Sequence, residues 1–282
     1  MNDKRFQCLL LAFSYSIRMD VMTEHPVLYR EMDGGIAVLT LNRPGKRNAL
    51  NVSASRMLAD YVRQTEANSD IRVVILAAEG AAAFCAGADL DDIAAGHGEQ
   101  IALRETGLGG LIHAQRQKPW IAAVNGAALG GGTELALACD MIVAGPAASF
   151  SLPEVRHGMI AGAAGIYRLT RRIAPALAME LLLTGNRLSA QRALALGLIN
   201  HLVEDEAEDV LQHAQALAQR IAANAPLAVR ETLRIARQAF DLSEQQLRTR
   251  TDAASRRLAQ SEDMLIGIKA FQDRCEPRWT GR

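Results

Sequence analysis

The segment from Trp120 to Gly145, "WIAAVNGAALGGGTELALACDMIVAG", constrains the fold more than any other part of the chain. It opens on an apolar run with no polar alternation, the pattern of a strand buried on both faces. Glycines break the run, a short helical stretch follows them, and a second apolar strand comes next. The same order occurs earlier, where "IRVVILAAEG" reads as a buried strand with a charged start and a glycine stop, followed by "AAAFCAGADLDDI", read as a loop. Two strand-turn-helix units in succession predict an α/β fold with parallel strands, whose ligand site lies beyond the carboxyl ends of those strands. Both glycine-rich turns sit at such ends. The stretch nearly has the length of a membrane span, but Asn125, Thr133, Glu134 and the glycines interrupt it at its middle. It reads as protein interior.

The 282 residues suffice for one large domain, or one domain with a helical appendage. Early strands are expected in "VLYRE" and "IAVLTLN", joined by a turn at Gly34-Gly35, and Ser53 can cap a helix running to about Asn68. In that helix Leu58, Tyr61, Val62 and Thr65 share a face. A helical stretch is expected from about Glu99 to Gln117, and beyond Ala163 the chain turns mainly helical, with three longer helices to Phe271. Residues 1–21 read as a loose extension despite Lys4 and Arg5 ahead of a short apolar run; residues 22–220 form the α/β core and 221–282 a C-terminal helical region.

Lysine plus arginine equals aspartate plus glutamate, 31 each, so no global field attracts nucleic acid or an anionic membrane. An anionic ligand must be held by local groups. The four cysteines, Cys8, Cys85, Cys139 and Cys275, form no CxxC pair, which argues against a zinc site or a disulfide framework and suits a reducing, cytoplasmic setting.

The turns "AFCAGADL" and "ALGGGTEL" each place small residues where the backbone leaves a strand for a helix, so amide N–H groups are uncovered. Two such amides converging on one point form an oxyanion hole. The plainer alternative is tight strand-helix packing at the glycines, with Asp89 as a helix cap. The glycines match no GxGxxG, GxxxxGK[ST] or GxSxG pattern. Cys85 with His113 or His157 is a conceivable nucleophile and base, though nothing in the sequence fixes their geometry, and a buried structural cysteine is the simpler reading. Glu134 has the dipole of a helix start in its favour, yet Leu135, Ala136, Leu137 and Ala138 imply burial, which disfavours a carboxylate. Glu154 follows Pro153 at another helix or turn start. Two buried carboxylates beside an oxyanion hole, one ionised and one protonated, suit the addition of water across a double bond conjugated to a carbonyl.

These residues, with "GIAVLTLNRPGKRNAL", "FSLPEVRHGMIAGAAGIYRL", "LTGNRLSAQRALALGLINHLV" and "AFQDRCEPRWTGR", resemble the enoyl-CoA hydratase/isomerase (crotonase) family over nearly all of Val27 to Arg282. The resemblance implies a spiral of ββα units with a helical C-terminal region that mediates homotrimers, often paired into hexamers. It implies an acyl-CoA thioester substrate, with coenzyme A as part of the substrate, no separate cofactor, no metal, and no nucleic-acid or membrane partner. The oxyanion-hole amides fall on Ala88 and Gly131 and the catalytic acids on Glu134 and Glu154. Coenzyme A is expected along Lys46, Arg47, Asn48 and Ala49 and near Ala86, Ala88, Asp89 and Leu90, and Met159, Ile160 and Ala161 are expected to line the acyl pocket.

Two departures from the family pattern stand out. Asp91-Asp92 follows "ADL" where many relatives carry lysine, and "RHGMIAGAAG" replaces "GxxPGxGG". The implied reaction is hydration of a trans-2-enoyl-CoA to a 3-hydroxyacyl-CoA. Isomerisation or a specialised carnitinyl-CoA-like dehydration is the first alternative, and a non-catalytic acyl-CoA or RNA-binding relative the second.

Overall fold

The computed structural model describes residues 25–205 and 209–282; the extension expected at residues 1–21 lies outside them. In chain order the elements are β1 (Val27–Met32), β2 (Ile36–Leu41), α1 (Val52–Ala67), β3 (Val73–Ala78), β4 (Ala83–Cys85), α2 (Leu90–Ala94), α3 (Gly98–Ile101), β5 (Ala102–Leu103) and β6 (Gly107–Leu108). Then come β7 (Trp120–Val124), β8 (Ala127–Leu129), α4 (Gly131–Ala138), β9 (Met141–Ala144), β10 (Ser149–Ser151), α5 (Gly165–Arg172), α6 (Pro175–Thr184), β11 (Leu188–Ser189) and α7 (Ala190–Ala195). Strand β12 (His201–Leu202) precedes the last four helices, α8 (Val210–Ala222), α9 (Pro226–Ala236), α10 (Glu244–Leu258) and α11 (Glu262–Asp273).

The main sheet has the order β1-β2-β3-β7-β9-β12, with β1 antiparallel to β2 and the other pairs parallel. Strand β3 shows why its sequence is apolar without alternation. Val74 and Leu76 join the core on one face, while Val73, Ile75 and Ala77 join that on the other. Helix α8 covers this second face through Ala214, Ala218 and Ala222. Small residues at every fourth position let the helix approach the sheet closely.

A second sheet has the order β11-β10-β8-β4, and its three central members, β10, β8 and β4, run parallel. The register pairs Cys85 with Ala128 and Ser151 with Leu129, so the three strands end side by side. Their carboxyl ends lead directly into the segments that hold Ala88, Gly131 and Glu154.

The structure corrects three sequence readings. Asn51, not Ser53, caps α1, its side chain accepting the Ala54 N–H at 2.8 Å. The segment read as a loop after β3 contains β4 and α2. The helix expected from Glu99 to Gln117 is confined to α3; the chain then forms the antiparallel pair β5-β6 and a run of turns, with Gly107, Gly109 and Gly110 at φ +73°, +59° and +67°. Left-handed backbone at three positions in four residues is incompatible with a continuing α-helix. Among the described residues no helix is long and apolar enough to cross a membrane.

Candidate active site

Strands β4 and β8 bring the two glycine-rich turns together. Gly87 has φ +91°, and a Cβ there would stand 3.0 Å from the Gly131 nitrogen and 3.2 Å from the Leu129 oxygen. A Cβ at Gly131 would lie 3.2 Å from the Gly87 Cα and 3.6 Å from the Ala88 nitrogen. The Ala88 and Gly131 backbones are thus close neighbours. The parallel bridge of Leu50 to Ala88 uses the Gly87 carbonyl and the Asp89 N–H, leaving the Ala88 N–H outside that ladder. Gly131 is the first residue of α4, whose opening N–H groups have no intrahelical acceptor. Two uncommitted amides at adjacent strand ends, one of them at a helix N-terminus, can receive an oxygen that gains negative charge.

Each glycine of the triplet has its own steric reason. Gly130 adopts φ +52°, and a Cβ there would sit 3.0 Å from Glu154 Oε1. A Cβ on Gly131 would meet Leu108 Cδ2 at 2.5 Å, and one on Gly132 would overlap the Cys85 carbonyl oxygen. Thr133 then pins the turn, its hydroxyl donating to the Ala128 and Ser151 carbonyls. The Gly130 N–H donates to the same Ser151 oxygen at 2.8 Å. Strand β8, strand β10 and the start of α4 therefore form one hydrogen-bonded unit.

Glu134 lies in the first turn of α4 and is 3 % exposed. Its Oε1 accepts the Gly165 N–H at 2.8 Å. Gly165 opens α5 after Ala164 turns the chain at φ +77°, and a Cβ on Gly165 would stand 2.9 Å from Glu134 Oε1. Only a glycine lets that amide come so close. Burial pushes the Glu134 carboxyl from 4.5 up to about 7; the Gly165 N–H opposes the shift and the charge of Glu154 adds to it. Glu154 begins a 3-10 turn, Glu154–His157, after Pro153. Burial raises its carboxyl also, and its Oε2 is buried with no hydrogen-bond partner.

The two carboxyls therefore differ in kind. Glu134 receives a backbone donor, which favours the ion, whereas Glu154 keeps an oxygen with no donor, which favours the acid. Once Glu154 is protonated its charge no longer raises Glu134, so the pair shares one proton between two unlike sites. That division supplies a base and an acid side by side.

The structure brings the two expected coenzyme A segments together. The Ala86 N–H donates to the Arg47 carbonyl, the Leu50 N–H to Gly87 and the Asp89 N–H to Leu50. Within them the side chains play unlike parts. Asn48 is buried and donates to the Glu79 and Ala83 carbonyls, and Asp89 caps α2 and pairs with Arg43 at 2.8 Å. Arg47 and Leu90 are exposed, as is Lys46, which meets Asp91 at 3.0 Å, while Ala49 is buried and Ala86 and Ala88 are half-buried. Asp92 turns inward to accept the Val52 N–H. Of the three residues expected at the acyl pocket, Ala161 is buried whereas Met159 and Ile160 are 49 % and 69 % exposed. Cys85 is buried, with burial pushing its thiol up to about 12, and the exposed His113 and His157 leave it a structural residue. Gly87 and Gly165 were not singled out from the sequence; the glycine before "ADL" and the glycine opening "GIYRL" were the available signals.

The match to the enoyl-CoA hydratase/isomerase family model spans residues 31–282, and the chain belongs to this family of enzymes, which has the crotonase fold. The crystal structure of an enoyl-CoA hydratase from Mycobacterium tuberculosis H37Rv superposes with a TM-score of 0.87 at 43 % identity, covering 92 % of this chain and all of the other. The carnitinyl-CoA dehydratase of Proteus mirabilis is 37 % identical over 254 residues, 88 % of this chain and 96 % of that protein. The human enoyl-CoA hydratase domain-containing protein 2, mitochondrial, is 39 % identical over 269 residues, 89 % and 87 % of the two chains.

Proposed function

We propose that this protein adds water across the double bond of a trans-2-enoyl-CoA to give a 3-hydroxyacyl-CoA. The observation that carries the proposal is the coupled carboxyl pair, Glu134 and Glu154, packed around the Gly130-Gly131 turn whose first helical amide is open. The thioester oxygen is received by the Ala88 and Gly131 N–H groups, which draw charge away from the β-carbon. Ionised Glu134 takes a proton from water as its oxygen bonds to that carbon. Protonated Glu154 delivers a proton to the α-carbon as the enolate collapses. One water is consumed, and the pair ends with its proton on the other carboxyl. Bound substrate supplies coenzyme A, with Lys46 and Arg47 as the local cations and Ala49, Ala86 and Leu90 beside them. A homotrimer or pair of trimers, and a cytoplasmic setting, belong to the same reading.

The test is the loss of enoyl-thioester absorbance on crotonyl-CoA and longer enoyl-CoAs. Glu134→Gln and Glu154→Gln should each lower kcat by at least 10²-fold, the scale of general acid-base catalysis. Turnover equal to wild type in both variants would overturn the proposal. A second reading, reversible dehydration of a specialised acyl-CoA, is favoured by the likeness to carnitinyl-CoA dehydratases and by the departure at Met159-Ile160. A panel of linear, branched and polar-headed thioesters separates the two.

A further inference from the structure

The far end of α4, away from Gly131, borders a separate cavity of about 660 Å³ lined by Arg116, Arg168, Arg171, Arg172 and Arg237. Two of these have carboxylate partners. Arg237 grips Asp140 through two nitrogens at 2.8 and 2.7 Å, and Arg171 meets Asp241 at 2.7 Å. Arg116, Arg168 and Arg172 form no ion pair among the described residues. Five arginines against two aspartates leave three positive charges at one place.

Part of this cluster has a structural explanation. Arg116 donates to the Ala138 carbonyl at 2.6 Å, and Arg172 donates to the Leu137 and Cys139 carbonyls. Those are acceptors that the end of α4 leaves open, at the negative end of its dipole. Arg168 donates to the Ile112 carbonyl at 2.6 Å. Each contact uses a single nitrogen of the guanidinium. Nε and Nη1 of Arg116 and Nη1 of Arg168 are buried without partners. Burial lowers all three guanidiniums from their usual range, and Cys139 beside them is held as a neutral thiol, pushed up to about 12 by its own burial. Like charges taken out of water with donors unmet are costly unless a counter-charge arrives. Asp140 cannot serve, since Arg237 occupies both its oxygens.

We propose that this cavity binds a phosphate-class oxyanion, held by Arg172 together with Arg116 and Arg168. A multiply charged anion matches three uncompensated guanidiniums, and the planar fork of arginine suits phosphate oxygens. The unmet donors of Arg116 and Arg168 are closed to solvent here; turning them toward an anion at Arg172 exchanges unsatisfied donors for charge-assisted bonds. Tyr167 lines the same cavity with its ring half exposed, and Phe240 stands beside it, so a phosphate ester with an apolar or planar group has a surface to rest on. The eight residues of α4 separate the cavity from Gly131 by about 12 Å at the ordinary helical rise. Occupancy does not require the reaction centre.

Calorimetric titration of inorganic phosphate and of pyrophosphate into the full chain, at matched ionic strength, tests the proposal. Saturable binding of pyrophosphate is expected, at least tenfold weaker in Arg172→Gln and intermediate in Arg172→Lys. If Arg172→Gln does not fold, the double variant Arg116→Lys, Arg168→Lys takes its place, with the same tenfold weakening expected. Equal affinity in wild type and variants, or no saturable heat with folded wild type, would overturn it. So would self-association that pyrophosphate leaves intact and Arg172→Gln abolishes, since the cavity would then hold a carboxylate of a second copy.

Discussion

Glu134 is a carboxyl placed where an apolar side chain would pack with no electrostatic penalty, and its environment makes its protonation a stability variable. Its folded value lies near 7 against 4.5 ordinarily. Below about 4.5 folded and unfolded chains both hold the proton; between 4.5 and 7 only the folded chain does; above 7 the folded chain must bury the ion. The stability contributed by this site is therefore complete below 4.5 and lost as the pH rises through 7, a total of up to about 3 kcal/mol for a shift of this size. Glu134→Gln, which keeps an acceptor for the Gly165 N–H, should raise the melting temperature at pH 8 and leave it nearly unchanged at pH 4.5, at fixed protein concentration. A gain of equal size at both values would mean that the substitution acts through packing. At the oxyanion hole, Gly87→Ala puts a methyl 3.0 Å from the Gly131 nitrogen in a backbone conformation that alanine resists. Loss of one donor predicts a fall in kcat of about 10²–10³-fold with little change in KM, read from steady-state kinetics on crotonyl-CoA.

At the scale of elements, what could be read in the sequence and what could not divide by physical cause. Strand β3 was legible because burial on both faces demands an unbroken apolar run, and β7, β8 and α4 were legible because three consecutive glycines cannot sit inside either element. The segment after α3 was not legible as turns. Ile101, Leu108, Leu111 and Ile112 are all buried and are spaced as a helix face would be, so apolar periodicity gave one answer and the positive-φ glycines between them another. Here the backbone overruled the side chains. The carboxyl pair was legible as chemistry, but Gly165 was not, because its role depends on Ala164 turning the chain toward a helix 31 residues earlier. The close seating of α4 against β4 yields a further prediction. Gly132→Ala drives a methyl into the Cys85 carbonyl, backbone against backbone with no flexible end to yield. Overpacking at such a point destabilises by about 1–3 kcal/mol or more, visible as a lowered urea midpoint. Gly131→Ala meets only the movable tip of Leu108 and should lower that midpoint less.

Across the whole molecule, the α/β core satisfies itself and the C-terminal helices do not. Helix α11 presents Met264, Leu265, Ile268 and Phe271 outward, at 45 %, 69 %, 47 % and 87 % exposure, while only Asp263 and Ala270 of the helix are buried. The spacing places all four on one side of the helix. That side is held in place from behind. Asp263 Oδ1 accepts the Thr280 and Gly281 N–H groups, and the Trp279 indole donates to the Ala223 carbonyl, tying the tail and α11 to the end of α8. A rigidly held apolar face of this kind is a subunit contact in search of a partner. Sedimentation should therefore show a trimer or a multiple of it, and Leu265→Asp with Phe271→Asp should shift the chain to monomer while circular dichroism remains that of the folded α/β core. Asp263→Ala leaves the apolar face intact but releases the tail, so it should weaken assembly without abolishing it. The two results together distinguish a face that only needs to be apolar from one that must also be held in position. An unchanged sedimentation profile in the double aspartate variant would remove α11 from the interface.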